Sequence, residues 1–346
     1  MSLKNTSVLL IYTGGTIGMI ENAKTGALEN YDFEQLQKQV PELKKFKFKI
    51  DSCQLEPPVD SSDMEPSMWT ELVRMIHENY DRYDGFVILH GTDTMSYTAS
   101  ALSFMLEDLT KPVILTGSQL PIGMVRTDGK ENLLTSIEIA AANVKGRPMV
   151  PEVCVFFENH LLRGNRTTKF NAEDFNAFSS FNYPSLAHVG IHIKYETAVI
   201  HYTSELDLPL KPHFLMDTNV AVLKLFPGIQ ENVVAGILNI PGLKAVVLET
   251  YGSGNAPRKE WFIRMIREAV DRGIVIVNIS QCYAGTVEMH RYETGRQLLE
   301  TGVISGYDST TESALTKLMF LLGHSLSPDE IRKKMNQSLS GEITLS

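Results

Sequence analysis

Two apolar runs, each ending in a glycine–threonine loop, constrain this chain more than any other feature. VLLIY at Val8–Tyr12 leads into TGGTIG at Thr13–Gly18, and GFVILH at Gly85–His90 leads into GTDTM at Gly91–Met95. Continuous apolar runs of this length, without alternation, read as strands buried on both faces, as in a parallel sheet covered by helices. In open parallel α/β sheets the ligand crevice lies beyond the carboxyl ends of the strands. Thr16, Thr92 and Asp93 are therefore candidates for one pocket, a layout suited to catalysis.

The remaining pattern extends this rhythm. Strands are expected at Phe46–Ile50, Val113–Thr116 and Val153–Phe157, with helices at Asp32–Val40, Glu65–Tyr80, Thr94–Leu106 and Lys130–Ala142. Ser62 and Asp63 offer N-cap chemistry to the helix beginning near Glu65. From Asn171 to Asp217 aromatic, proline and histidine residues increase, and HVGIHIKYETAVIHY alternates as antiparallel strands do. A second α/β rhythm follows: a strand within NVAVLKLF, a helix near Gln230–Leu238, strand Ala245–Thr250, helix Arg258–Asp271, strand Ile274–Ile279, and closing helices at Thr311–Leu322 and Pro328–Ser338. The fold class is α/β with two α/β domains. The larger N-terminal one, 1–195, has a mainly parallel sheet with helices on both faces; 196–217 reads as a linker and 218–346 as a smaller C-terminal domain.

Composition narrows the function classes. A net charge of −9 argues against a nucleic-acid partner, whose phosphates need a basic face. The one basic run, KKFKFK at Lys44–Lys49, reads as an amphipathic edge strand with its lysines in water. Three cysteines, Cys53, Cys154 and Cys282, form no metal spacing and suit a reducing compartment. Cys154 in VCVFF reads as a buried apolar residue, and packing is also the expectation for Cys282. Val8–Tyr12 is far too short for a secretory signal, and no run reaches a membrane span, so a soluble cytoplasmic protein without membrane partners is expected.

The loop residues supply the chemistry. Paired glycines after a strand let the backbone approach a ligand, and a hydroxyl presented there can attack a carbonyl once its proton is removed. GGTIG is neither a dinucleotide fingerprint nor a Walker A loop. A plain strand–loop turn remains open for this segment taken alone. Ser61 and Ser62 precede a helix start, where N-capping competes with anion binding. Lys169 taken alone reads as a solvated loop lysine. His90, at the end of an apolar strand, reads as a hydrogen-bonded structural histidine rather than a base. Glu158-Asn159-His160 lacks a metal pattern, and Thr116-Gly117-Ser118 is either a loop start or a source of backbone donors.

Five ordered segments, Thr13–Ile17, Asp60–Met64, His90–Met95, Arg163–Lys169 and Tyr251–Asn255, resemble the signatures of the bacterial-type L-asparaginases, cytoplasmic branch. The resemblance implies hydrolysis of L-asparagine to L-aspartate and ammonia, without cofactor or metal. It implies Thr16 as nucleophile, forming an acyl-enzyme, with Thr92, Asp93 and Lys169 as a second catalytic group. Asp60, Ser61 and Ser62 would then hold the substrate's α-amino and α-carboxylate ends, together with Asp93. Asn255 would reach a neighbouring subunit's site in a homo-oligomer, a dimer or dimer of dimers. The family's lid tyrosine is missing: Ala27 stands in its place. Tyr31 is the first tyrosine afterwards, either a substitute phenol or a ring beside the next helix. Two rival functions are the amide-hydrolysing subunit of a tRNA-dependent amidotransferase and a non-catalytic asparagine-binding regulator. The first is disfavoured by the negative charge and a first strand by Val8, which leaves no room for that subunit's additional N-terminal domain. The second is disfavoured by the retained Thr16, Thr92, Asp93 and Lys169.

Overall fold

A computed structural model describes residues 6–21, 28–30, 33–202 and 208–345. Its backbone contacts group into two units, Met1–Phe214 and Leu215–Ser346. The first unit is built on an eight-stranded sheet: β1 Ser7–Tyr12, β2 Lys49–Gln54, β3 Gly85–Leu89, β4 Val113–Thr116, β5 Val153–Phe157, β6 His160–Arg163, β7 Ala187–Val189 and β8 Ile193–Tyr195. Their spatial order is β8-β7-β6-β5-β4-β3-β1-β2. The first five strands run parallel, in the order 2-1-3-4-5 of a doubly wound sheet. The last three add an antiparallel extension.

The uninterrupted apolar runs are explained by burial on both faces. Val8, Leu10 and Tyr12 share one core with Val87, Leu89, Ile114 and Phe156, packed with Leu133 and Ile137 of the helix Gly129–Ala141. Side chains alternate along a strand, so Phe86 points to the opposite face. There its ring stacks on Tyr80, at the end of the helix Pro66–Asn79, with centroids 6.0 Å apart. Burying a Leu or Phe side chain contributes roughly 1.5–3 kcal/mol, which makes this doubly covered sheet a rigid platform for the loops at its edge.

Two expectations need correction, the bounds of the strand at Phe46–Ile50 and the packing of Cys282. The strand foreseen at Phe46–Ile50 begins at Lys49 and runs to Gln54. Pro41–Lys45 closes instead as a 3-10 turn, and Phe46 and Phe48 pack on the core from the loop that follows. Lys44, Lys45, Lys47 and Lys49 are exposed beside an edge strand. The segment 196–217 is tied to the first unit over part of its length. Lys211–Pro212 pair with Leu106–Glu107, and the His213 N–H donates to the Met105 carbonyl. Cys282 is exposed because its strand ends at Ser280, whereas Cys154 is fully buried in β5.

The second unit carries a parallel sheet of four strands in sequence order: β9 Val220–Lys224, β10 Ala245–Thr250, β11 Val275–Ser280 and β12 Ile304–Ser305. The helix Glu260–Asp271 buries Phe262, Ile266 and Ala269, a spacing that aligns one apolar stripe with the core. At the chain's end Lys317 and Glu342 form a fully buried ion pair at 2.5 Å. Glu342 also accepts the Leu339 and Ser340 N–H groups, and Lys317 donates to the Met335 and Gln337 carbonyls, so neither charge is left uncompensated. Among the described residues no helix is long and apolar enough to cross a membrane.

Candidate active site

Strands β1 and β3 are neighbours, yet the chain leaves β1 towards β2 on one side and β3 towards β4 on the other. This is the switch point of the sheet, where a crevice opens at the carboxyl ends. Thr13–Thr16 and His90–Asp93 are the segments that emerge there.

Glycines allow these loops to touch. Gly14 and Gly15 adopt φ of 124° and 86°, conformations that residues with a Cβ resist. A Cβ on Gly14 would lie 2.1 Å from the Val59 carbonyl oxygen, and one on Gly15 would lie 2.4 Å from the Gly91 Cα. One on Gly91 would meet Ser61 Oγ at 2.5 Å. The loop after β1 thus meets those after β2 and β3 backbone to backbone, and the Ser61 side chain packs on Gly91, at glycines that leave no room for a Cβ. Hydrogen bonds fix the arrangement: the Thr13 N–H and hydroxyl both donate to the Leu89 carbonyl, and the Val59 N–H donates to the Thr13 carbonyl at 2.7 Å. Thr16 opens the 3-10 turn Thr16–Gly18, which the buried Tyr12 hydroxyl holds by donating to the Gly18 carbonyl. Burial raises the Tyr12 phenol above its ordinary range, so it remains a neutral donor.

Lys169 enters from a separate loop. It lies in a short ribbon, Thr168–Lys169 paired with Phe178–Ser179, after the 3-10 turn Gly164–Arg166. The base of this loop is fixed by Arg163, whose guanidinium meets Glu152 through two bonds of 2.6 and 3.0 Å and lies over the Tyr183 ring. From there the Lys169 amine donates to Thr92 Oγ1 at 2.8 Å and to Asp93 Oδ1 at 2.7 Å. The lysine side chain is 16% exposed and that of Asp93 67%, so the amine sits behind a carboxylate that faces solvent.

Asp60, Ser61 and Ser62 border the same crevice through the Ser61–Gly91 contact. Their expected role in capping the following helix is not what the structure shows. Ser61–Asp63 form their own 3-10 turn, and Asp60 is its cap, accepting the Ser62 N–H and hydroxyl at 2.8 Å each. These two donors hold the Asp60 carboxyl below the usual carboxylate range, so it is anionic at neutral pH. The helix Pro66–Asn79 starts after Glu65 without a side-chain cap. Ser61 is buried and its carbonyl accepts the Thr94 hydroxyl at 2.6 Å.

His90 is fully buried. Its Nδ1 lies 2.7 Å from the Gly91 carbonyl, which can only accept, so the proton resides there and Nε2 accepts from Thr98 Oγ1 at 2.9 Å. Thr98 in turn accepts the Trp69 indole N–H. Burial lowers the imidazole to about 4, making it a neutral structural link, as its place on an apolar strand implies. Among the described residues no group of three His, Cys, Asp or Glu side chains is arranged to hold a metal ion.

Gln119, just past the end of β4, was not foreseen. Its side chain lies 3.3 Å from Thr92 Oγ1 and reaches the Ala172 and Asp174 carbonyls. A glutamine carries no catalytic signal by type; its position one residue after the Thr116–Ser118 strand end was the available clue. In the second unit Asn255 accepts the Thr294 hydroxyl at 2.6 Å, within a loop that closes by the Tyr251–Asn255 bridge. Ala27 and Tyr31 lie outside the described residues.

Hydroxyl, amine and carboxylate groups gathered at the switch point of a doubly wound sheet have the layout of an α/β enzyme's active site. Residues 7–201 match the family model for the asparaginase N-terminal domain, and residues 219–335 that for the glutaminase/asparaginase C-terminal domain. The sequence is 44% identical over 347 residues to L-asparaginase 1 of Escherichia coli (strain K12), covering 99% of each chain. The fold is similar to the crystal structure of L-asparaginase I from Vibrio cholerae, with a TM-score of 0.89 and 42% identity over 99% of this chain and 100% of that one. It is also similar to the thermostable L-asparaginase from Thermococcus kodakarensis, with a TM-score of 0.88 and 34% identity over 99% and 100%. The chain belongs to the asparaginase family of amidohydrolases.

Proposed function

We propose that this enzyme hydrolyses L-asparagine to L-aspartate and ammonia. The observation that carries the reading is the Lys169–Thr92–Asp93 cluster, held at the switch point beside the Gly14-Gly15-Thr16 loop. Thr16 is the nucleophile. Its Oγ bonds to the side-chain amide carbon, the carbonyl electrons move to oxygen, and the C–N bond breaks as nitrogen receives a proton and leaves as ammonia. The resulting ester between the β-carboxyl and Thr16 is cleaved by water, whose proton returns to Thr16 Oγ and whose oxygen completes the aspartate carboxylate. Thr92 and Lys169 position that water and move protons, and backbone N–H groups beside Thr92 stabilise the oxyanion. A donor of that kind commonly contributes roughly 3–4 kcal/mol.

Charge placement supports the amino-acid substrate. Asp93 pairs with Lys169 through Oδ1, and its exposed carboxylate offers a second oxygen to a substrate ammonium. Asp60, with Ser61 and Ser62, grips the α-amino and α-carboxylate ends. We assign the chemistry to the N-terminal domain, 1–195, and place the linker at 196–217 and the C-terminal domain at 218–346. The working form is a cytoplasmic homo-oligomer, a dimer or dimer of dimers, in which Asn255 completes a neighbouring subunit's site. The deciding experiment is ammonia release by the pure protein with L-asparagine or L-glutamine, in the absence of tRNA. Release from asparagine supports the reading. No release from either amide contradicts it and favours a binding protein.

A further inference from the structure

We infer that Gln119 is a positioning residue that sets the direction of the Thr92 hydroxyl, an inference that rests on the catalytic reading proposed above. The Gln119 amide nitrogen lies 3.3 Å from the Ala172 carbonyl oxygen and 3.0 Å from that of Asp174. Carbonyl oxygens only accept, so the nitrogen must face them, and the amide oxygen must face Thr92. That oxygen also only accepts, so across the 3.3 Å separation the hydroxyl proton of Thr92 points at Gln119. The Lys169 amine approaches the same hydroxyl oxygen from 2.8 Å and donates into a lone pair.

The direction of this relay is therefore fixed. Protons point from Lys169 to Thr92 and from Thr92 to Gln119, so Thr92 receives a hydrogen bond from the amine rather than giving one. To pass its own proton to the amine, the hydroxyl has to turn away from Gln119. Gln119 itself has little freedom. Its N–H donates to both oxygens of Asp128 at 3.1 and 3.0 Å, and the following Leu120 N–H donates to Asp128 Oδ1 at 3.2 Å. Asp128 also accepts from Asn132, which donates to the Gly117 carbonyl at 3.0 Å. One glutamine thus orients the hydroxyl and ties the loop after Lys169 to the end of β4.

Two substitutions separate these roles. Gln119→Leu removes both. Gln119→Glu keeps an acceptor for Thr92, loses the donors to Ala172 and Asp174, and places a negative charge one hydroxyl away from the Lys169 amine. The assay measures kcat and KM for L-asparagine in wild type and both variants, with thermal melting as the check on folding. For Gln119→Leu, kcat is expected to fall by about tenfold or more while KM changes by less than about threefold. For Gln119→Glu, kcat is expected to lie nearer the wild-type value, since the acceptor for Thr92 is kept. A kcat well above that of Gln119→Leu is a result that loop bracing alone does not produce, because both variants lose the donors to Ala172 and Asp174. If Gln119→Leu does not fold, retention of near wild-type kcat by Gln119→Glu decides. Wild-type kcat in both variants, or equal losses in both, would overturn the role of Gln119. An inactive wild-type enzyme would overturn the catalytic reading on which it rests.

Discussion

Lys169 donates to Thr92 across 2.8 Å, although the two residues are 77 positions apart in the chain. The contact exists because Arg163 and Glu152 secure the base of one loop while the switch point of the sheet places the other. The same amine contacts Asp93 at 2.7 Å. A carboxylate of 67% exposure is strongly screened by water, so the pair positions the amine more than it stabilises the fold.

Replacing that amine tests its part in the chemistry. Lys169→Met retains the aliphatic stem and removes the donor to Thr92 and Asp93. The expected result is a loss of roughly 10²–10⁴ in kcat, the range usual for a general acid–base group, with a small change in KM. Steady-state kinetics with L-asparagine provides the check; a change confined to KM would make Lys169 a binding residue.

The buried histidine predicts a pH dependence of stability. The unfolded chain takes up the His90 proton near the ordinary value of 6.5, whereas the folded one resists it until about 4. Between these values the unfolded state binds more protons, so stability falls as pH descends through that window and levels off below it. The share lost is on the order of 3 kcal/mol. Urea unfolding at both ends of the window, read by Trp69 fluorescence in a Trp261→Phe background, measures it. His90→Gln should flatten this dependence; an undiminished slope would assign the effect to other groups.

Much of the site is legible in the chain because its signals are local. Val8–Tyr12 and Gly85–Leu89 are continuous apolar runs since both faces of those strands are covered, and the loops that follow hold Thr16, Thr92 and Asp93. The edge strand was less legible. Phe46, Phe48 and Ile50 alternate as a strand would, but the preceding 3-10 turn and the Ser7–Lys49 register delay pairing until Lys49. His160–Arg163 was not foreseen as a strand because four residues after a tight turn at Glu158 carry too little pattern. Asp60 caps the 3-10 turn Ser61–Asp63 and the helix Pro66–Asn79 starts without a side-chain cap, since residue type alone does not show which backbone N–H a neighbouring side chain reaches. Gln119 acts through contacts with Thr92, Ala172 and Asp174, none of them near it in sequence.

The C-terminal ion pair bears on stability. Glu342→Ala leaves the Lys317 amine buried without its carboxylate and removes the acceptor for Leu339 and Ser340. A cost of about 3–5 kcal/mol is expected, the usual range when one partner of a buried pair is removed. Calorimetry on the full chain should show a clear fall in the unfolding temperature. A variant that melts with the wild type would mean that the closing segment adds little to the second unit.

Assembly affects activity if Asn255 completes a neighbouring site. Diluting the enzyme until the oligomer dissociates should then lower specific activity in step with the monomer fraction, followed by analytical ultracentrifugation. Asn255→Ala should reduce activity without dissociating the oligomer. A fully active monomer would remove the shared site from the account.

The central claim is that Thr16 attacks the amide, and its most direct test is the rate of ammonia release from L-asparagine by Thr16→Ala beside the wild type. The expected result is near-complete loss of turnover with an unchanged melting temperature, because the hydroxyl opens a loop turn outside the packed core; Thr16→Ser, which keeps a hydroxyl, should retain part of the rate. Ordinary turnover by Thr16→Ala, at wild-type substrate affinity, would contradict the account and move the nucleophile to another residue.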